Sequence, residues 1–203
     1  MPRTLTDDDV AEFRRRLCNA AARLFVERGP DAVTMRSLAH ELGCSAMTPY
    51  RYFKDKDAIL AAVRARGFDE FADAMEQAGA AVKDAAARAL AIGAAYVRFA
   101  TERPHVYRMM FDKPFLGEGD ADPDLVRAGD RARAQMKGYV RSLVSDGVVE
   151  GDPILIGNLL WGGVHGIVML SLCGMLSRHL TAEGVSKELF QSVVDRYRPQ
   201  RAR

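Results

Sequence analysis

Residues 34–60, TMRSLAHELGCSAMTPYRYFKDKDAIL, decide the fold, because helix starts, one forced stop and an aromatic, cationic cluster all fall inside this stretch. Thr34 is a good N-cap, and Met35, Leu38, Ala39 and Leu42 recur at the spacing that places apolar side chains on one helix face. Gly43 stands where a helix ends in a left-handed residue. A second short helix starts at Ser45 or at Thr48-Pro49, since proline is tolerated best in a first turn. Ala46, Met47, Thr48 and Arg51 are its exposed candidates, while Tyr50, Tyr52, Phe53, Lys54 and Lys56 combine amphipathic rings with positive charge. Asp55 then caps a helix from Lys56, whose apolar side Ile59, Leu60, Val63, Phe68, Phe71 and Met75 runs to about Gly79. Upstream, Val10, Phe13, Leu17, Ala20, Leu24 and Phe25 form another helical stripe that Gly29-Pro30 stops.

Two short helices joined by a tight turn have a physical use. A helix about 10–12 Å wide with its side chains fits the major groove of DNA, about 12 Å across. Bulk charge would not have suggested this: the chain carries a formal charge of +2, and residues 1–60 hold ten Lys and Arg against nine Asp and Glu. Any basic patch must therefore come from the placement of Arg14, Arg15, Arg16, Arg36, Arg51, Lys54 and Lys56 rather than from composition.

Thr34, Leu38-Ala39, Gly43, Ser45, Tyr50-Arg51-Tyr52-Phe53-Lys54 and Lys56, closing on Ile59-Leu60, resemble the DNA-binding domain of the TetR family of one-component regulators. Cys44, Met47 and Pro49 depart from the usual pattern, the last two where many relatives have Gly and Leu. The resemblance implies an all-α chain of about nine helices, with a three-helix DNA-binding head over residues 1–55. Residues 56–203 are then a ligand-binding and dimerisation domain. Phosphate contacts are expected from Thr34, Tyr52, Lys54 and Lys56, and base contacts from Ala46, Met47, Thr48, Tyr50 and Arg51, with Arg36 and Ser45 completing the interface.

The remaining sequence continues in helical periods. Residues 80–101 are alanine-rich, Pro104 opens a short helix, Pro114 and Gly117-Glu118-Gly119-Asp120 read as a loop, and Pro123 starts a helix to about Asp146. Further helices are expected over 154–177 and about 183–197, with no alternating β-pattern. Three widely spaced cysteines, Cys18, Cys44 and Cys173, suit reduced thiols in a cytoplasmic compartment, and MPRTLTDDDV has no signal-peptide character.

Residues 154–177, ILIGNLLWGGVHGIVMLSLCGMLS, contain no charge and exceed the roughly 20 residues that span a bilayer. Gly162 and Gly166 offer a close helix contact. Asn158, His165 and five glycines argue instead for burial against a second subunit. The TetR resemblance implies such a homodimer through the last two long helices, so no membrane partner is expected. Trp161, His165 and Gly166, with FATERPHVYRMMF at 99–111, resemble a Trp-His-Gly subgroup of these ligand-binding domains.

His40, His105, His165 and His179 form no metal motif, and no nucleophile elbow, phosphate loop or dinucleotide fingerprint is present, so neither a metal, a cofactor nor an enzyme is expected. Phe71, Met75, Tyr96, Phe99, Tyr107, Met110, Phe111, Trp161, His165 and Met169 are the candidate lining of a pocket for a small apolar or amphipathic effector. His165 needs a polar partner there, in the core or on the effector. The function expected is a ligand-responsive regulator, most simply a repressor, on an inverted-repeat operator in double-stranded DNA. A constitutive regulator and one tethered to a membrane through 154–177 are the alternatives.

Overall fold

The computed structural model describes residues 6–112 and 122–199, so the loop read at Pro114 and Gly117–Asp120 lies outside the described residues. Those residues hold eight α-helices and one 3-10 turn: α1 Asp7–Arg28, α2 Met35–Glu41, the 3-10 turn Pro49–Arg51, α3 Lys56–Ala80, α4 Ala85–Glu102, α5 Pro104–Phe111, α6 Pro123–Ser145, α7 Pro153–Leu172 and α8 Ala182–Arg196. No strand occurs among them. They fall into two compact units, one from within Met1–Gly67 and Arg108–Ala128, the other from within Phe68–Tyr107 and Gly129–Arg203.

In the first unit, α1 begins at a capping box in which Thr6 accepts from the Asp9 amide and the Asp9 carboxylate accepts from Thr6. Leu17, Leu24 and Phe25 of its apolar stripe are buried with Val33, Met35, Leu38, Phe53, Ile59, Leu60 and Val63 in one core. Thr34 caps α2 as its sequence requires, accepting from the Ser37 amide at 3.1 Å while Ser37 Oγ accepts from the Thr34 amide at 3.0 Å. Gly43 has φ +64°, the left-handed stop.

The second reading element departs from expectation. Only Pro49–Arg51 is helical, as a 3-10 turn, with Arg51 N donating to Thr48 O at 3.1 Å and Tyr52 N to Pro49 O at 3.0 Å. Pro49 supplies no amide, Phe53 is drawn into the core and Asp55 already caps the next helix through Ala58 N at 2.8 Å, so no length remains for propagation.

In the second unit, α4 starts at Ala85 rather than residue 80, because the Asp84 carboxylate accepts from Ala87 N at 2.7 Å and sets the cap. Arg131 on α6 reaches Asp73 and Glu76 on α3 at 2.6 Å each and Asp69 at 3.5 Å. Val140, Leu143, Ile156, Leu160, Phe190 and Val193 form a second apolar core from α6, α7 and α8. Helix α7 ends at Leu172, short of Ser177, before Gly174 at φ +69°. Its close approach to α8 is at Gly163, where an added Cβ would lie 2.4 Å from Leu189 Cδ2; Gly162 and Gly166, the pair singled out by spacing, face open space. By length and composition α7 could cross a membrane.

Candidate functional site

The turn after Gly43 is fixed from two sides. Ser45 and Thr48 join their hydroxyls at 2.9 Å, and Thr48 N donates to Ser45 O at 2.9 Å. From α1, the Phe13 ring stacks on Tyr52 with centroids 4.3 Å apart, and the Arg14 guanidinium lies 4.0 Å over the Phe53 ring while donating to the Tyr52 carbonyl. Sequence spacing places Arg14 only among the charges of a possible patch and misses this supporting role, because its partners lie 38 and 39 residues ahead with no local spacing to betray them.

On that support Thr34, Arg36, Ser45, Ala46, Met47, Tyr50, Arg51 and Lys54 are exposed, and Thr48, Tyr52 and Lys56 are half-buried. Met47 is an apolar side chain left 69% exposed. None of Arg36, Arg51 and Lys54 is held in an ion pair among the described residues, so their charge is available to an external anion. Arg15, by contrast, is paired with Glu12 at 2.7 Å, and Lys56 Nζ donates to the Pro30 carbonyl at 2.7 Å. Lys56 thereby ties the start of α3 to the turn after α1.

In the second unit, five of the ten pocket candidates meet. Phe71 packs edge-on to Tyr96 at 4.8 Å and to Phe99 at 5.2 Å. Tyr96 and Tyr107 join hydroxyls at 2.6 Å, and the Tyr107 hydroxyl is 2.6 Å from His165 Nδ1. Burial lowers the His165 pKa from its ordinary 6.5, which keeps the ring neutral and lets Nδ1 accept from Tyr107. Burial also pushes Tyr96 up to about 12, and Tyr107 further up with Tyr96 beside it, so both phenols stay protonated. The buried Nε1 of Trp161 has no acceptor at hydrogen-bonding geometry, although it is near enough to the Tyr96 hydroxyl to lower that pKa slightly. Met75 is fully buried and Met169 half-buried in the same unit. Met110 and Phe111 belong to the other unit, where Met110 gives its carbonyl to the buried Arg64, Nη2 to O 3.0 Å.

Residues 17–63 match the tetR family of bacterial regulatory proteins, and residues 89–197 match the tetracyclin repressor-like C-terminal domain. The latter match names no Trp-His-Gly subgroup, and the likeness of Trp161, His165 and Gly166 to it stays a resemblance. An uncharacterized HTH-type transcriptional regulator of Mycobacterium tuberculosis, Rv0681, is 27% identical over 82% of this chain and 73% of its own. A protein of unknown function from Rhodococcus sp. RHA1 has the same fold, with a TM-score of 0.82, 26% identity and coverage of 98% of this chain and 100% of that one. The TetR family transcriptional regulator PfmR of Thermus thermophilus follows with a TM-score of 0.67 and 23% identity over 89% of this chain and 97% of its own. With a helix-turn-helix whose exposed face carries unpaired cations, and with both parts of the chain matched, this protein belongs to the TetR family of DNA-binding transcriptional regulators.

Proposed function

We propose that the chain acts as a homodimeric, ligand-responsive repressor in the cytoplasm, with residues 1–55 reading DNA and residues 56–203 pairing and binding the effector. The observation that carries the dimer is the strip of Ile154, Leu155, Leu159 and Leu170 on α7, each about half exposed. Apolar area of this kind on one helix face is favourable to bury against a copy of itself about a two-fold axis. Two heads so related read an inverted repeat. At each half-site Arg51 pairs with a guanine edge, Met47 and the Thr48 methyl meet apolar base edges, and Lys54, Arg36 and the hydroxyl of Thr34 hold phosphates.

Support for an effector comes from the Tyr96–Tyr107–His165 chain and the unsatisfied Trp161 indole beside it. A small apolar or amphipathic molecule with one hydrogen-bonding group would satisfy that indole. The signal leaves through α5, which carries Tyr107 at one turn and the Arg64-bound carbonyl of Met110 at the next. A ligand shifts the two states of the heads only by its differential affinity, typically about 1–3 kcal/mol. The test is selection of genomic fragments by the purified protein, followed by titration of small apolar ligands against the recovered operator. Inverted repeats released by a saturating ligand support the proposal; direct repeats, or operators that no ligand releases, favour a constitutive regulator. Recovery of the chain only in detergent-solubilised membranes would instead assign α7 to a bilayer.

A further inference from the structure

The methionines of the described residues differ sharply in their access to solvent. Met35, Met75, Met110 and Met136 are buried, and Met109 and Met169 half-buried, whereas Met47 is 69% and Met175 74% exposed. Access to the sulfur decides which thioethers an oxidant reaches. A peroxide transfers one oxygen to a lone pair of Sδ: the S–O bond forms as the O–O bond breaks, the sulfur loses two electrons, and the oxidant leaves as water. An apolar side chain thereby becomes a polar one with a strong hydrogen-bond acceptor. Met175 lies between α7 and α8 in the second unit. Met47 lies inside the tight turn that Thr48 N closes on Ser45 O at 2.9 Å, with the Ser45 and Thr48 hydroxyls joined across it, also at 2.9 Å.

We infer that Met47 is an oxidation site through which a peroxide weakens DNA binding, its sulfoxide setting an acceptor against base edges where the thioether sets an apolar surface. The inference rests on the proposed reading of DNA by this turn and adds a chemical control to it. Because the turn is closed by its own hydrogen bonds, the side chain leaves a fixed backbone and the added oxygen stays on the reading face. Acceptors outnumber donors along the major-groove edges, and the phosphates accept as well, so a sulfoxide oxygen meets mostly groups of its own kind. The thiols of the same unit compete poorly for the oxidant, since a thiol reacts as its thiolate. Burial pushes the Cys18 thiol up, and the half-buried Cys44 gives its Sγ proton to the Ala39 carbonyl, 3.5 Å away. Bound DNA covers Met47, so the oxidant acts on free protein and keeps it free until the sulfoxide is reduced.

Limited treatment of the full chain with hydrogen peroxide tests it, with each methionine followed by peptide-mapping mass spectrometry and binding measured on a genomic fragment selected by the protein. Met47 and Met175 should be oxidised ahead of the buried methionines, and random-sequence duplex DNA should protect Met47 but not Met175. Oxidised wild type should bind the fragment about five- to tenfold more weakly, the scale of one lost base contact. Methionine sulfoxide reductases should restore that affinity, and dithiothreitol alone should not. The affinity of Met47→Leu should be the same before and after peroxide, while Met175→Leu should lose affinity as wild type does. The inference is overturned if Met47 reacts no faster than the buried methionines, or if peroxide weakens Met47→Leu as much as wild type. A Met47→Ala variant separates the two readings. If it binds the fragment as tightly as wild type, Met47 does not read DNA and the inference falls with that reading; if it binds weakly while the Met47 sulfoxide binds fully, the inference alone falls.

Discussion

At the scale of single residues, the proposed interface divides into groups assigned to DNA and groups that hold those in place. Arg51 is exposed on the 3-10 turn, and Lys54 follows the Tyr52-Phe53 pair that α1 pins down. Arg51→Ala should cost about 1–3 kcal/mol on the operator and relax preference at one base position, measured by binding to a panel of single-base variants. Lys54→Ala should weaken specific and random DNA alike and reduce the salt slope by about one. Lys56, whose amine is already given to Pro30, is the less clean probe of phosphate contact. His165 sets a pH dependence. Its folded pKa lies below the ordinary 6.5, so the unfolded chain takes up the proton first as pH falls. The stability due to the neutral ring is complete above about 6.5 and is lost below it, so the Tm of wild type should fall between pH 7 and 5 more steeply than that of His165→Gln. Thr34, Gly43 and Asp55 were legible from the sequence because a cap or stop is settled by neighbours three or four positions away. Arg14 and Arg64 were not, because a long side chain reaching another helix leaves no periodic trace.

Among the elements, the sequence located most helices and erred where tertiary contact sets the boundary or the packing face. The second reading helix shrank to a 3-10 turn because Phe53 is claimed by the core and Asp55 by the next cap. In α7, spacing pointed to Gly162 and Gly166, whereas the neighbour that needs room is Leu189 opposite Gly163. Helical period alone does not say on which side a partner lies. Gly163→Val should therefore force α7 and α8 apart and destabilise by about 1–3 kcal/mol in chemical denaturation, with part of the loss recovered in a Leu189→Ala background. Gly138 on α6 is exposed, with nothing within 4 Å of an added Cβ, so Gly138→Ala should stabilise by about 0.5–1 kcal/mol through helix propensity.

For the molecule as a whole, the charge-free segment read from sequence gave the right kind of surface and left its owner open between bilayer and second subunit. The fold buries Ile156, Leu160, Val164 and Val168 inside the chain and leaves Ile154, Leu155, Leu159 and Leu170 about half exposed on α7. Replacing Leu155 and Leu159 together by Glu should convert a particle of twice the 22.4 kDa chain mass into one chain in sedimentation, with operator affinity falling toward that of a half-site. A particle of unchanged mass would remove the strip from the pairing surface. On the proposed pairing and repression, gene dosage enters promoter control nonlinearly. When chains are scarce relative to their pairing constant, the concentration of readers rises as the square of expression, so halving synthesis leaves about a quarter of the readers. A cell could thus lift repression by modest dilution during growth, and a truncated or partner-poisoning copy of the same strip would act dominantly.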